Sequence, residues 1–514
     1  MTKIPRCYNR FYYIYSSISR NVMKKQLINL RLFFLPMIFA LVLQCRYDTS
    51  QKDGKFRIIS DAITNVSHPY YIDISAYPEN RKSLPIGVFD SGTGGLTVLN
   101  TILELDEFNN TTHEPGGDGI PDFEKEYFIY LADEANMPYG KYNDERKADF
   151  LRELVLKDVL FLLGRRFYNT PDEHHPHEDK EAVKSIVIAC NTATAYGLET
   201  VDNAMDYWGL GVEITGIIEA GAKSALSHLN ENNIARSIIG VLATEGTCTS
   251  GGYPATIKKI QSSHYPDLSV EVVQQAGMGL AAAIDGDINY IVPEVSVARD
   301  ESEYFGPGIL RSDYPVDLRL WEEYRFENGK GIFVIADENG DTVAVQLNSV
   351  LNYTRYMVTH FVQNATQLTE DYQIHTVILG CTHYPFIEKE ILEHFIYLKQ
   401  LDERYDRLIP DNISLIDPSK ALAISLYEEL RNADLWGNGS NKNSQFYIST
   451  PNYLLMKNKI LENGEFPYDW KYGRDINTPL QFIKHVPLSE KWIDEAVRKR
   501  MMEKIPTTYD LIPF

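Results

Sequence analysis

Cysteine is scarce in this sequence, and its spacing argues against the common sites built from cysteine. The 514 residues contain five cysteines, which are Cys7, Cys45, Cys190, Cys248 and Cys381. They are far apart, and neither a CxxC pair nor a Cys/His zinc spacing occurs. This pattern argues against a disulfide framework and against a structural metal site. We therefore expect single thiols and no bound metal.

Positively charged residues are also fewer than negatively charged ones. Lys and Arg number 50 against 71 Asp and Glu, which gives a formal net charge of -21. An acidic surface repels phosphate, so a nucleic-acid partner is not expected. The turn Gly92-Thr93-Gly94-Gly95 lacks both the Lys-Ser/Thr of a phosphate loop and the GxGxxG spacing, so no nucleotide cofactor is predicted. The length allows two or three domains.

Acidic residues are missing from the first 44 positions, which contain seven Lys and Arg. The apolar run at 32–43 is shorter than the ~20 residues of a membrane span and is typical of a secretory signal. Cys45 follows it, as in a bacterial lipobox, although Gln44 replaces the usual small residue. We predict a signal and lipid-anchor segment at 1–45, with export to the periplasm or cell surface and a membrane anchor on Cys45. An uncleaved anchor, or a cytoplasmic chain that does not use the signal, stays open.

Four short apolar runs are each followed by a polar turn and a helical pattern, and they lie at 85–89, 185–189, 237–242 and 376–380. Repeated units of this kind are typical of α/β folds with parallel sheets. The second and fourth runs end at Cys190 and Cys381, so each half of the chain has one polar turn and one strand-end thiol. This weak repeat predicts two pseudo-symmetric, doubly wound parallel-sheet domains with the active site between them.

The domain organisation follows from the same units. We predict a tether at 46–83, a first domain from 84–214 with 404–470, a second domain at 215–403 with an insertion at 285–350, and a C-terminal extension at 471–514. Within the insertion, two apolar runs flank Asn339-Gly340, which predicts a β-hairpin.

The two strand-end thiols are the best candidates for chemistry. Ligands of open α/β folds bind at the carboxyl ends of strands, and a helix start there favours a thiolate and lowers the cysteine pKa. Cys190 and Cys381 on opposite faces of a substrate could remove a proton from one face and return one to the other, without a cofactor. A buried cysteine is often only a small core residue. The polar residues that follow each thiol favour the functional interpretation.

Six segments carry a specific resemblance, at 86–98, 130–140, 187–195, 240–247, 378–385 and 415–421. In this order they resemble the glutamate branch of the aspartate/glutamate racemase superfamily. The resemblance implies cofactor-independent conversion between L-glutamate and D-glutamate by a two-thiol mechanism. D-Glutamate of this origin normally supplies peptidoglycan precursors in the cytoplasm, so an exported member would be unusual.

The resemblance also implies roles for single residues. Cys190 and Cys381 would transfer protons, assisted by Asp90, Glu245 and His383. The substrate would be held by Asp90, Ser91, Tyr139, Gly140, Asn191, Thr192, Thr382 and His383. The partner is then a small acidic amino acid, and a homodimer stays open. Cys248 is an additional cysteine near these motifs, for which a packing role is favoured.

Two other functions stay open at this stage. The chain could racemise aspartate or another acidic amino acid, because the insertions could reshape the pocket for the substrate side chain. It could also be a lipid-anchored binding protein on the same scaffold, without turnover.

Overall fold

The structure is a computed structural model that describes residues 55–292, 297–312, 314–368, 372–456, 459–461, 464–493 and 495–514. The predicted signal segment at 1–45, with Cys45, lies outside the described residues. Within the described part of the chain, no helix is both long and apolar enough to cross a bilayer.

Two largely parallel sheets and one hairpin contain all the named strands of the described residues. The first sheet has the order β12-β11-β2-β1-β3-β4, the second has the order β10-β9-β5-β6, and the hairpin pairs β7 with β8. The strands are β1 Ile86–Asp90, β2 Phe128–Ala132, β3 Ser185–Ile188, β4 Glu213–Gly216, β5 Arg236–Ala243, β6 Ser269–Ala276, β7 Ile332–Ala336, β8 Thr342–Leu347, β9 Ile374–Gly380, β10 Ser414–Ile416, β11 Gln445–Pro451 and β12 Ile483–Pro487. In the two large sheets every pairing is parallel except that of β12 with β11.

The α-helices are α1 Arg57–Thr64, α2 Gly95–Glu104, α3 Gly140–Asp144, α4 Ala148–Leu163, α5 Asn191–Trp208, α6 Ile217–Glu231, α7 Glu245–Ser250, α8 Gly252–His264, α9 Leu280–Ile284, α10 Trp321–Tyr324, α11 Val350–Ala365, α12 Glu388–Leu401, α13 Glu403–Leu408, α14 Pro418–Asn432, α15 Tyr453–Met456, α16 Tyr468–Gly473, α17 Glu495–Lys504 and α18 Pro506–Tyr509. Single 3₁₀ turns occur at Ile74–Ala76, Glu134–Asn136, Leu318–Leu320, Gly329–Gly331, Tyr384–Ile387, Asn441–Asn443, Leu480–Phe482 and Glu490–Trp492.

The central strands are apolar along almost their whole length. β1, for example, has only its last residue, Asp90, partly exposed. Helices cover both faces of such a strand, so it has no polar face. β1 pairs with β3, and β5 pairs with β9. Each predicted thiol therefore follows a strand directly beside the strand that ends in a polar turn, and the predicted α/β fold with two parallel sheets is confirmed.

The two sheets share a hydrophobic core. One cluster of buried side chains includes Val88 of the first sheet and Ile239 of the second, and it continues through α6 and α14. These two helices contact each other between the sheets. Residues 58–514 accordingly form one compact unit.

Part of the segment predicted as a tether is folded. Ile58 and Ile59 of α1 are buried, and the indole Nε1 of Trp208 donates a hydrogen bond to the Ile59 carbonyl at 2.9 Å. Burial of these two apolar side chains is favourable, and an extended tether would leave them exposed to water.

The predicted C-terminal extension also supplies structure. It contributes β12 to the edge of the first sheet, and Met501 and Ile505 of the same region are buried. The hairpin predicted around Asn339-Gly340 is formed by β7 and β8, with Gly340 at a positive φ of 86°.

Candidate functional site

Cys190 lies between β3 and α5, where its sulfur caps the helix. The Sγ accepts a hydrogen bond from the Ala193 N–H at 3.4 Å, and the thiol lies 3.6 Å from Ser91 Oγ, to which it can donate. Burial and then the charge of Asp90 raise the pKa of Cys190 to about 12. The expected lowering of this pKa is wrong, because burial and a neighbouring carboxylate outweigh the helix start. Cys190 is therefore a protonated thiol in the resting site.

Asp90 stands at the end of β1 beside this thiol. Its Oδ2 accepts a hydrogen bond from the Gly95 N–H at 2.7 Å. Burial raises the pKa of Asp90, while hydrogen bonds from Gly95, Ser91 and Cys190 oppose that rise. Gly95 has to be glycine here, since a Cβ would lie 2.5 Å from the Asp90 Cβ. Asp90 and the buried Cys190 are thus neighbouring acids, and the charge of Asp90 opposes ionisation of the thiol.

Cys381 stands at the end of β9 and is 6% exposed. Its Sγ lies 3.6 Å from His383 Nδ1, and His383 Nε2 lies 3.2 Å from Asp285 Oδ2. Burial acts to lower the pKa of His383. The hydrogen bonds to Asp285 and Cys381, with the charges of both groups, outweigh burial and raise that pKa to about 10. The second thiol therefore has a positively charged ring beside it at neutral pH.

The strand-end turns of the two sheets meet. A Cβ on Gly94 would lie 3.4 Å from Asp90 Oδ2 and 3.9 Å from Thr382 Oγ1, so Thr382 of the second sheet stands close to the Asp90 turn. The Tyr253 hydroxyl donates a hydrogen bond to Asn191 Oδ1 at 3.1 Å. The structure thereby brings the Asp90 turn close to Thr382, and Asn191 close to Tyr253, across the two halves of the chain.

The known proteins to which this chain is similar include several bacterial glutamate racemases. No family model matches the chain. It is similar to a glutamate racemase of Limosilactobacillus fermentum, with 24% identity over 384 residues that cover 74% of this chain and 94% of that protein. It is 33% identical to a glutamate racemase of Oceanobacillus iheyensis over 177 residues, which cover 34% of this chain and 47% of that protein.

Among solved structures, a glutamate racemase isoform of Bacillus anthracis overlaps 71% of this chain and 87% of its own, with 21% identity and a TM-score of 0.40. The glutamate racemase of Aquifex pyrophilus overlaps 76% of this chain and 96% of its own, with 24% identity and a TM-score of 0.36. Overlaps at TM-scores this low do not bear on function.

Asp285 belongs to the site although its sequence gave no signal. It follows α9 directly and was predicted as the first residue of an insertion. Its partner His383 is almost a hundred positions further along the chain, so only the fold joins them. The Asp285 carboxylate fixes which nitrogen of the His383 ring faces the Cys381 sulfur.

Two residues that the resemblance placed at the site point elsewhere. The Glu245 carboxylate accepts a hydrogen bond from the Tyr314 hydroxyl at 2.6 Å, which turns it toward the insertion. The Tyr139 hydroxyl lies 2.5 Å from Asp133 and 2.6 Å from Asp158, so its side chain is part of a buried network. The main chain remains near the site, since a Cβ on Gly140 would lie 3.6 Å from the Gly246 Cα.

The same buried network contains a group of side chains, among the described residues, whose spacing could hold a metal ion. Asp133, Asp158 and His485 have ligand atoms within 4.8 Å of one another. The Lys157 ammonium lies 2.6 Å from one Asp133 oxygen and 2.8 Å from an Asp158 oxygen. Burial and then the charge of Asp133 raise the pKa of Asp158 to about 8. The lysine and a neutral carboxyl already balance this cluster, so it does not need a metal ion.

Glu134 is a second acid that the sequence motifs did not single out. Its Oε2 would lie 3.2 Å from a Cβ on Gly92, in the turn that follows Asp90. That oxygen is buried without a hydrogen-bond partner among the described residues. Burial, followed by the charge of Asp90, raises the pKa of Glu134 to about 7. Two carboxyl groups near the first strand-end turn, Asp90 and Glu134, thus have a raised pKa.

Proposed function

We propose that this chain is a cofactor-independent glutamate racemase that interconverts L-glutamate and D-glutamate with two thiols. One observation carries the proposal: two buried thiols each end a parallel strand, and each has a titratable partner of its own, Asp90 for Cys190 and His383 for Cys381. The similarity to glutamate racemases over nearly the whole length of one relative supports it.

The chemistry needs a base on one face of the α-carbon and an acid on the other. In one direction Cys381, having passed its proton to His383, removes the α-proton as a thiolate, and the Cys190 thiol donates its proton to the opposite face. The C–H bond broken and the C–H bond formed lie on opposite sides, so the centre inverts. In the other direction Cys190 passes its proton to Asp90 and removes the α-proton as a thiolate, while Cys381 takes its proton back from His383 and donates it to the opposite face. General acid–base catalysis of this kind contributes about 10² to 10⁴ in rate.

The substrate carboxylates require donors, and the site offers them at strand ends. Ser91, Asn191, Thr192 and Thr382 provide neutral polar side chains, and the main chain at Tyr139-Gly140 provides N–H groups at the start of α3. Free N–H groups at helix starts suit carboxylates. Asp90 is the carboxylate available for the substrate ammonium.

The test is an assay of the purified full chain with each enantiomer of glutamate, in which circular dichroism monitors the conversion. We expect both to reach the same racemic end point, and in D₂O we expect deuterium at the α-carbon. Cys248→Ala is the matched control, because Cys248 is a free cysteine in α7 and not at a strand end. Absence of interconversion for glutamate and for every other acidic amino acid would contradict the proposal.

A second candidate is racemisation of aspartate or another acidic amino acid. It is favoured by Tyr314 of the insertion, which binds Glu245 next to the Gly140–Gly246 contact and so can reshape the pocket. A substrate panel separates it from glutamate racemisation. Binding without turnover, seen as calorimetric affinity with no α-proton exchange, would favour the non-catalytic scaffold instead.

We also propose that the chain is exported and lipid-anchored through Cys45. The order of basic residues, apolar run and cysteine at 1–45 supports this location. Mass spectrometry of the mature N-terminus tests it, since an acylated Cys45 is expected and an intact, unmodified 1–45 segment would contradict it. Light scattering of the same preparation tests the homodimer.

A further inference from the structure

The C-terminal segment, defined as residues 495–514, reaches the second thiol through a chain of contacts. Arg500 of α17 donates from Nη1 to the Asp285 main-chain oxygen at 2.6 Å, and its Nε lies 3.7 Å from Asp285 Oδ1. The other Asp285 oxygen lies 3.2 Å from His383 Nε2, whose ring lies 3.6 Å from the Cys381 sulfur. Arg500 is therefore two side chains away from the thiol.

We propose that Arg500 is a positioning residue for the racemisation, a role that rests on the proposed function. It holds the Asp285 backbone at the end of α9 and one carboxylate oxygen at the same time. The remaining carboxylate oxygen then faces His383. A guanidinium suits this task, because its planar fork offers several donors in a fixed geometry.

Other contacts fix the C-terminal segment on both sides of the site. Lys504 Nζ lies 5.3 Å from the centre of the Phe386 ring, three residues after His383. The Thr508 N–H donates to Asn100 Oδ1 at 3.1 Å, on the helix that follows the Asp90 turn. Arg500 thus projects from a segment bound to both halves of the chain.

Because the Arg500–Asp285 ion pair is partly exposed, its effect on turnover can be distinguished from an effect on folding stability. The side chains of Arg500 and Asp285 are each 39% exposed. An ion pair that water reaches contributes little to the free energy of unfolding. A misplaced catalytic group, in contrast, can slow a reaction about 10²-fold for an ångström of displacement. Removing Arg500 should therefore affect turnover without affecting folding.

The experiment compares Arg500→Gln with Lys499→Gln in the full chain. Both lose one positive charge on α17, and Lys499 is exposed. We expect Arg500→Gln to lower kcat about tenfold with an unchanged KM and melting temperature. Arg500→Lys should recover part of kcat, and Lys499→Gln should behave as the parent. An unchanged kcat in Arg500→Gln of an active parent would overturn the inference.

A double-mutant cycle identifies the route. If Arg500 acts through the Asp285 carboxylate, Arg500→Gln slows the Asp285→Asn variant less than it slows the parent. Additive losses would overturn the positioning role.

An inactive parent would sink the proposed function but leave the geometry testable by NMR of the His383 ring. Asp285 and Cys381 face that ring, and Arg500 faces Asp285. We expect the His383 Nε2 proton to exchange with solvent faster in Arg500→Gln than in Lys499→Gln, because Asp285 is then less fixed, and equal exchange in the two variants would refute the inference.

Discussion

The two thiols occupy matching places in the two sheets, yet their surroundings differ in charge. Cys190 is buried beside the carboxyl of Asp90, and its pKa is raised to about 12. Cys381 lies beside His383, whose pKa is raised to about 10 despite burial because Asp285 and Cys381 bind it. A repeated strand–turn–helix unit therefore fixes where a thiol stands, while the neighbouring side chains decide how its proton is handled. At neutral pH the first half has a proton on the Cys190 sulfur, and the second half has one on the His383 ring.

Loss of either thiol should have the largest effect. Both Cys190→Ala and Cys381→Ala remove one of two proton-transferring groups, so we expect racemisation to fall about 10³-fold or more in each variant. The measurement is the initial rate from each enantiomer. Full activity in either variant would show that only one half of the comparison takes part in the chemistry.

Asp90→Asn should have the second largest effect, and it should change the reactivity of Cys190 but not that of Cys381. The amide can still accept the Gly95 N–H, but the negative charge beside Cys190 is gone. We expect kcat to fall about 10²-fold. Burial remains, yet without that charge Cys190 should react faster with iodoacetamide at mildly alkaline pH, as followed by peptide mass spectrometry. Cys381 in the same sample is the internal control, and an equal acceleration of both thiols would contradict the assignment.

Stability against pH should reveal the carboxyl-rich character of the first half. Glu134 has a pKa raised from 4.5 to about 7, so the folded chain binds more protons than the unfolded chain between those values. The free energy of unfolding therefore falls as pH rises through this window.

Glu134→Gln should remove that loss, with a gain of about 3 kcal/mol at pH 8 and none at pH 4. Urea unfolding at both pH values measures it. Glu79→Gln, at an exposed carboxylate, is the matched control and should show no such gain. An equal gain in both variants would point to net charge instead of Glu134.

Tyr253→Phe should have the smallest effect. It removes the hydrogen bond at 3.1 Å by which the second half holds Asn191 of the first. We expect about 1 kcal/mol less stability in chemical unfolding, and a modest rise in KM because Asn191 is less fixed. A larger loss of kcat than of substrate affinity would mean that this hydroxyl takes part in proton transfer.

The sequence predicted the local parts of the fold well. The four apolar runs became β1, β3, β5 and β9, since a short apolar run between turns is a local signal. β12 was not predicted, because its pairing with β11 depends on residues that a local pattern does not contain.

The site shows the same division. Asp90 lies beside Cys190 and His383 lies beside Cys381, while the catalytic roles that the resemblance implies for these residues stay predictions. Asp285 and Glu134 were missed because their partners are set by the fold. The direction of the Cys190 pKa was wrong, because a sequence does not state how deeply a thiol is buried or which carboxylate it meets.

The wide separation of β2 from β11 has a consequence for synthesis. β11 completes the first sheet beside β2 only after more than three hundred further residues have left the ribosome, whereas the strands of the second sheet all lie between Arg236 and Ile416. Domains generally fold as their residues emerge, and distant pairings form late. An arrested chain in which residue 416 but not residue 445 has left the ribosome therefore has a finished second sheet and a first sheet with an open edge at β2, which limited proteolysis would detect.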